Sequence, residues 1–273
     1  MYDGIVLIDA IGDHVCFTGV PEAYFKATGI RLTIHSLKNS DEMKQIWKDN
    51  PFVTWRAPAK KIFLFPFNYT SKSAYEWNAV YKPFWIYTRM TGSFISPELI
   101  RPKLYYKREP VKNRLIISDE AGKSFRRGYP YMNALAAAFR RDGWEVIVLR
   151  NTVKQLLETN ETLSNHEIKG NYDVAQFTNV EDTIKFMATA SAYFGYESGL
   201  AHVAGAFNIP YGIFGAANGI ENNRHPSCLF AVCACSTPCL SLNCDKPCMA
   251  RLQNYNDLIV YKFKEARKND ATV

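Results

Sequence analysis

The chain has 273 residues, 47% of them apolar and 22% charged, which excludes a disordered chain and leaves room for two modest α/β domains or one large one. No apolar run reaches the roughly 18 residues of a membrane span. The first nine residues carry acids and no basic n-region, so they do not read as a signal peptide and the chain reads as cytoplasmic. A net charge of +7 favours an anionic partner (a nucleotide, a phosphorylated glycan, a membrane surface or nucleic acid) without choosing among them.

Residues 5–9 have the continuous apolar pattern of a buried strand, and residues 10–14 read as the turn after it. Residues 21–28 read as a helix stopped by Gly29, and 31–35 as the next strand. Residues 52–56 and 61–65 are further strand candidates, whereas 68–110, aromatic and proline-containing, read as irregular. The domain boundary is expected near 100–112, around Pro102 and Pro110, giving domains 1–105 and 106–273. In the second, 114–118 is a strand and 130–143 a helix, with Pro130 suited to the first helical position and Gly143 to the stop. Met132, Leu135, Ala136 and Phe139 share one face of that helix. Strand 145–149, helix 180–190, strand 192–196, helix 199–207 and strand 211–215 follow. Repeated β–α–β units of this length imply parallel sheets covered by helices, with ligands bound beyond the carboxyl ends of the strands. Most of the aromatic residues are expected in the cores.

Four segments carry candidate chemistry. Ile11-Gly12-Asp13 follows the first strand: Gly12 permits a tight turn, and Asp13 is either a carboxylate that takes a proton from a hydroxyl nucleophile or a helix cap. Residues 196–202 follow a strand and open a helix whose free N–H groups and dipole suit a phosphate at Ser198 and Gly199. Glu197 holds a hydroxyl or caps that helix, and His202 reads mainly as a packed, hydrogen-bonded histidine. Lys123, Arg126 and Arg127 form a basic loop between strand and helix, suited to a diphosphate or simply to solvent. It is no Walker loop, because position 117 is Ile where that motif has glycine. Six of the seven cysteines lie within 228–248, and in a reducing compartment metal ligation outranks disulfides. The absence of any Cys-x-x-Cys pair counts against a metal; one bound there is expected to be structural, with reduced thiols as the alternative.

In this order the pieces resemble glycosyltransferase family nine, the heptosyltransferase family of the GT-B class. The resemblance rests on the first strand with Ile11-Gly12-Asp13 and Pro21, on Arg127-Gly128-Tyr129-Pro130, on 197–206 with Pro210, Phe214 and Gly215, and on Cys248-Met249. Residues 96–104 are similar to the family's interdomain segment. The resemblance implies two Rossmann-like parallel-sheet domains facing across a cleft, the acceptor-side N-terminal one reduced. It implies inverting transfer of a sugar from a nucleotide diphosphate donor without a catalytic metal. Asp13 matches the family's general base. Arg127 stands where the family has a donor-binding Lys, and Glu197 replaces the usual Asp. Ser198, Gly199 and His202 match the phosphate-side turn, and Gly12, Lys123 and Arg126 join the donor-binding set. Some members carry cysteine-rich metal segments, which points to structural zinc or iron at Cys235, Cys239, Cys244 and Cys248. The implied donor is a nucleotide-linked heptose or hexose, ADP-heptose foremost. The implied acceptor is a hydroxyl of a surface polysaccharide or lipopolysaccharide, reached from the cytoplasm at the inner membrane. Two other readings stand beside it: a glycosyltransferase acting on DNA or protein, and a non-catalytic nucleotide-sugar-binding protein.

Overall fold

The computed structural model describes residues 1–7, 11–36, 40–64, 81–119, 129, 131–151, 168–196, 198–215, 224–233 and 255–270. The chain divides into two compact units, Met1–Lys107 and Arg108–Val273, each an α/β unit on a parallel sheet. Among the described residues no helix is long and apolar enough to cross a membrane.

The first unit runs β1 (Gly4–Leu7), α1 (Ile11–Phe17), α2 (Val20–Thr28), β2 (Leu32–Ser36), α3 (Ser40–Ile46), β3 (Val53–Trp55), β4 (Ile62–Leu64) and α4 (Tyr81–Thr91), then a 3₁₀ turn at Pro97–Ile100. Its sheet order is β3-β2-β1-β4, with Ile5 opposite Ile34 and Phe63. Ile5, Leu7, Leu32 and Ile34 are buried on one face of the sheet and Thr33 on the other, as both-face coverage of a parallel sheet requires. Gly29, at φ +71°, ends α2 in the left-handed conformation that glycine adopts without strain. Two expectations are corrected. Residues 11–14 are not a turn but the start of α1, because Val15, Cys16 and Phe17 bury one face and Asp13 in the first turn complements the helix dipole. Residues 68–110 are not irregular throughout: α4 forms over 81–91, with Pro83 in the first turn, where its missing N–H costs nothing, and Ile86, Tyr87 and Met90 buried.

The second unit runs β5 (Arg114–Ile117), α5 (Met132–Arg141), β6 (Glu145–Asn151), β7 (Asp173–Phe177), α6 (Val180–Met187), β8 (Ala192–Tyr196), α7 (Gly199–Ala206), β9 (Tyr211–Gly215), β10 (Cys228–Cys233) and α8 (Tyr255–Asp270). The sheet order is β10-β9-β8-β5-β6-β7, all parallel. Met132, Leu135, Ala136 and Phe139 are fully buried, the face expected for α5. Phe139 also meets Phe263 of α8 edge-on at 5.3 Å, within a core shared with Phe194 and Phe214. Asn179 caps α6, its side chain accepting the Asp182 N–H at 2.8 Å. Arg114 grips Glu145, its register partner on β6, through two nitrogens at 2.9 and 3.2 Å.

Candidate functional site

The order of the second sheet reverses at β5, which has β6 on one side and β8 on the other. At such a switch point the connections leave in opposite directions and a crevice opens beyond the carboxyl ends of the two strands. In the first unit β1 occupies the equivalent place, between β2 and β4.

Asp13 stands in the first turn of α1, beyond the end of β1, with Gly12 before it. Its carboxylate Oδ1 accepts from Nζ of Lys82, in the first turn of α4. Both side chains are largely covered, and Leu7, Cys16, Phe17, Pro83 and Ile86 complete the lining of a hollow around the pair. Burial pulls Lys82 down to about 8 despite its anionic partner. The ammonium favours an ionised Asp13, which is the form that accepts a proton. Next to it, His14 is buried and its Nδ1 accepts from Trp47 Nε1 at 3.0 Å, so this ring braces α1. Cys16 is buried and its thiol is pushed far up, which makes it a packing residue rather than a nucleophile.

In the second unit the ends of β5 and β8 carry Ser118, Asp119, Ser198 and Gly199. The Ser118 N–H donates to the Phe194 carbonyl at 2.9 Å, extending the β5–β8 pairing to the switch point. Asp119 is buried; its Oδ2 accepts from Arg150 Nη2 at 3.0 Å and from the Ile168 N–H at 2.9 Å. Its other oxygen makes no hydrogen bond among the described residues. Ser198 is the N-cap of α7 and does not cap it through its side chain. Tyr196, the last residue of β8, accepts the Tyr129 N–H on its hydroxyl at 2.6 Å, and the Tyr129 hydroxyl donates to Asn256 Oδ1 at 2.8 Å.

His202 lies within α7, its Nδ1 2.9 Å from Nε2 of His225 and the two rings edge to face. It is packed and hydrogen-bonded, as its sequence context suggested. His225 is buried ahead of β10; its N–H donates to the Tyr211 hydroxyl at 2.7 Å, and burial lowers its imidazole to about 4. Lys123, Arg126, Arg127, Glu197, Cys235, Cys239, Cys244 and Cys248 lie outside the described residues. Cys228, which opens the cysteine-rich stretch, sits on β10 with its thiol donating to the Phe230 carbonyl at 3.4 Å.

Lys82, Ser118, Asp119 and His225 are candidate site residues that the sequence patterns do not pick out. Ser118 and Asp119 had a usable signal, the position just past a strand. Lys82 had none, because nothing in sequence links it to a carboxylate 69 positions earlier.

Residues 112–238 match the model of glycosyltransferase family 9 (heptosyltransferase). Among solved structures, the chain is similar to the iron-containing dodecameric glycosyltransferase TibC from enterotoxigenic E. coli H10407, with TM-score 0.71 at 11% identity over 100% of this chain and 78% of that one. A heptosyltransferase TibC structure in complex with ADP-D-beta-D-heptose gives TM-score 0.64 at 12% identity, covering 97% and 76%. E. coli ADP-heptose lps heptosyltransferase II gives 0.59 at 10% identity, covering 98% and 99%. These likenesses give the fold as the GT-B type. Comparison with curated proteins finds no match.

Proposed function

We propose that this chain, a glycosyltransferase by its family 9 domain over residues 112–238, transfers a heptose or hexose with inversion from a nucleotide diphosphate sugar, ADP-heptose foremost, to a glycan hydroxyl of surface polysaccharide or lipopolysaccharide. The observation that carries this reading is the pairing of Asp13 with Lys82 beyond β1, which supplies an ionised carboxylate where the family resemblance requires a base. The TibC complex with ADP-D-beta-D-heptose supports the donor.

In the reaction Asp13 takes the proton of the acceptor hydroxyl as its oxygen bonds to the anomeric carbon. The bond from that carbon to the diphosphate breaks, and the nucleoside diphosphate leaves with the electron pair. Negative charge grows on the departing oxygen. Arg127, with Lys123 and Arg126, and the amino end of α7 at Ser198 and Gly199 stabilise it, which takes the place of a catalytic metal. Before transfer Lys82 keeps Asp13 ionised. Once Asp13 carries the proton, the lysine faces a neutral acid. The second unit is the donor side and the first the acceptor side. Such an acceptor places the protein in the cytoplasm, peripheral to the inner membrane. In this reading the cysteine-rich segment would hold a structural zinc or iron; the iron-containing TibC supports it, and no step of transfer runs through the metal.

Incubation of the purified protein with ADP-heptose and candidate core glycans, read by ADP release and product mass, tests the reading. Transfer that disappears in Asp13→Asn supports it. Donor binding without transfer to any glycan, combined with heptosylated DNA or protein when these are offered instead, replaces the acceptor.

A further inference from the structure

Tyr193 lies on β8, three residues before the end of the strand, and is fully buried. Its hydroxyl makes no hydrogen bond among the described residues, an unfavourable condition for a buried donor. Burial pushes its pKa strongly up, while the adjacent hydroxyls of Ser198 and Ser118 pull the other way. Three hydroxyls, one from the end of β5, one from β8 and one from the N-cap of α7, thus meet at the switch point of the sheet. Gly195 makes the meeting possible. A Cβ there would lie 2.3 Å from the Tyr193 hydroxyl and 3.4 Å from Ser118 Cβ, so a side chain at 195 would evict the phenol.

Ser198 is the second, separate irregularity. Its backbone is extended, at φ −153° and ψ 173°, the conformation from which an N-cap serine ordinarily accepts from its own helix. It makes no such bond, and the Ala201 N–H goes to the Ser198 carbonyl instead, at 3.1 Å. A helix whose cap residue declines to cap it keeps its amino end available to an anion.

We propose that Tyr193 is a positioning residue for the diphosphate of the donor. It orients the Ser198 hydroxyl away from α7 and toward the ligand. When a diphosphate arrives, the Tyr193 hydroxyl donates to Ser198 Oγ and Ser198 donates to a phosphate oxygen, so binding satisfies the buried phenol. This rests on the donor-binding reading of the second unit.

Calorimetric titration of the full-length protein with ADP and with inorganic pyrophosphate tests it. Tyr193→Phe removes one oxygen and keeps the ring. Both probes should then bind up to roughly tenfold more weakly, the upper value of one hydrogen bond between neutral groups. The melting temperature should hold or rise, since an unpaired buried hydroxyl is gone. Ser198→Ala should give the same loss, and the double variant no more than either alone, because the two act in series. Equal affinity in Tyr193→Phe, or additive losses in the double variant, overturns the proposal. If Tyr193→Phe does not fold, Gly195→Ala, which displaces the phenol, must weaken both probes for the proposal to stand. A wild-type protein that binds neither probe overturns the donor-binding reading, and this inference with it.

Discussion

Beyond β1, Asp13 already has its counter-charge, since Lys82 compensates it within the same unit. Beyond β5 and β8 the polar groups gather without completing their bonds: the Tyr193 hydroxyl and one oxygen of Asp119 are unsatisfied among the described residues. The first arrangement is electrostatically finished and is suited to holding a proton acceptor in one ionisation state. The second carries a desolvation cost that only an incoming group removes. The contrast suggests that the two sheets divide the labour, one fixing a charge and the other leaving room for one.

The comparison can be broken most sharply at Asp13. Asp13→Asn should lower kcat about 10²–10⁴-fold, the usual worth of a general base, about 3–5 kcal/mol of barrier, with ADP affinity unchanged. Steady-state turnover and ADP titration on the same preparation check it; unimpaired turnover removes the base. Arg127→Ala acts on the other side and should weaken ADP binding roughly 10–100-fold, as expected for lost charge-assisted hydrogen bonds. A fall in kcat with intact ADP affinity would move Arg127 from binding the diphosphate to stabilising it only as it leaves.

Lys82→Met sharpens the comparison. Without the ammonium, the Asp13 carboxyl becomes easier to protonate, so the acid limb of the kcat/KM profile should move upward by about one pH unit. A fixed limb would mean that the ionisation of Asp13 does not govern activity. The smallest effect concerns stability and belongs to His225. The unfolded chain takes up a proton near 6.5, whereas burial keeps the folded imidazole neutral down to about 4. Unfolding therefore binds protons in this window, and stability falls as the pH drops through it, by about 1.4 kcal/mol per unit of lowered pKa. Urea midpoints at pH 7 and pH 5 should differ less in His225→Gln than in the wild type.

The legible parts of the fold were those where one physical signal dominates. β1, β5, β6, β8 and β9 are short, mostly apolar runs, β2 alternates apolar and polar residues, and helices α2, α5, α6 and α7 have clear starts or stops. β7 hides because it is an edge strand whose Val174 and Asp173 are exposed, so its pattern is not that of a core strand. β10 hides behind its cysteines. α8 is mostly polar and reads as helix only once Ile259 and Phe263 are seen to be buried. At the site, sequence gives residue type and strand-end position for Asp13, Ser198 and Gly199. It does not give partners, because Lys82 and Tyr193 earn their places through tertiary contact. Tyr193 in particular looks like one more core aromatic until the bare Cα of Gly195 explains where its oxygen goes.

Phe263 of α8 completes the wall formed by Phe139 and Phe194, some 120 and 70 positions earlier in the chain. During synthesis the second unit therefore cannot close until that late segment clears the ribosome, whereas the first unit has its whole sheet out long before. The nascent second unit spends that interval with aromatic surface uncovered, which makes it the more aggregation-exposed half.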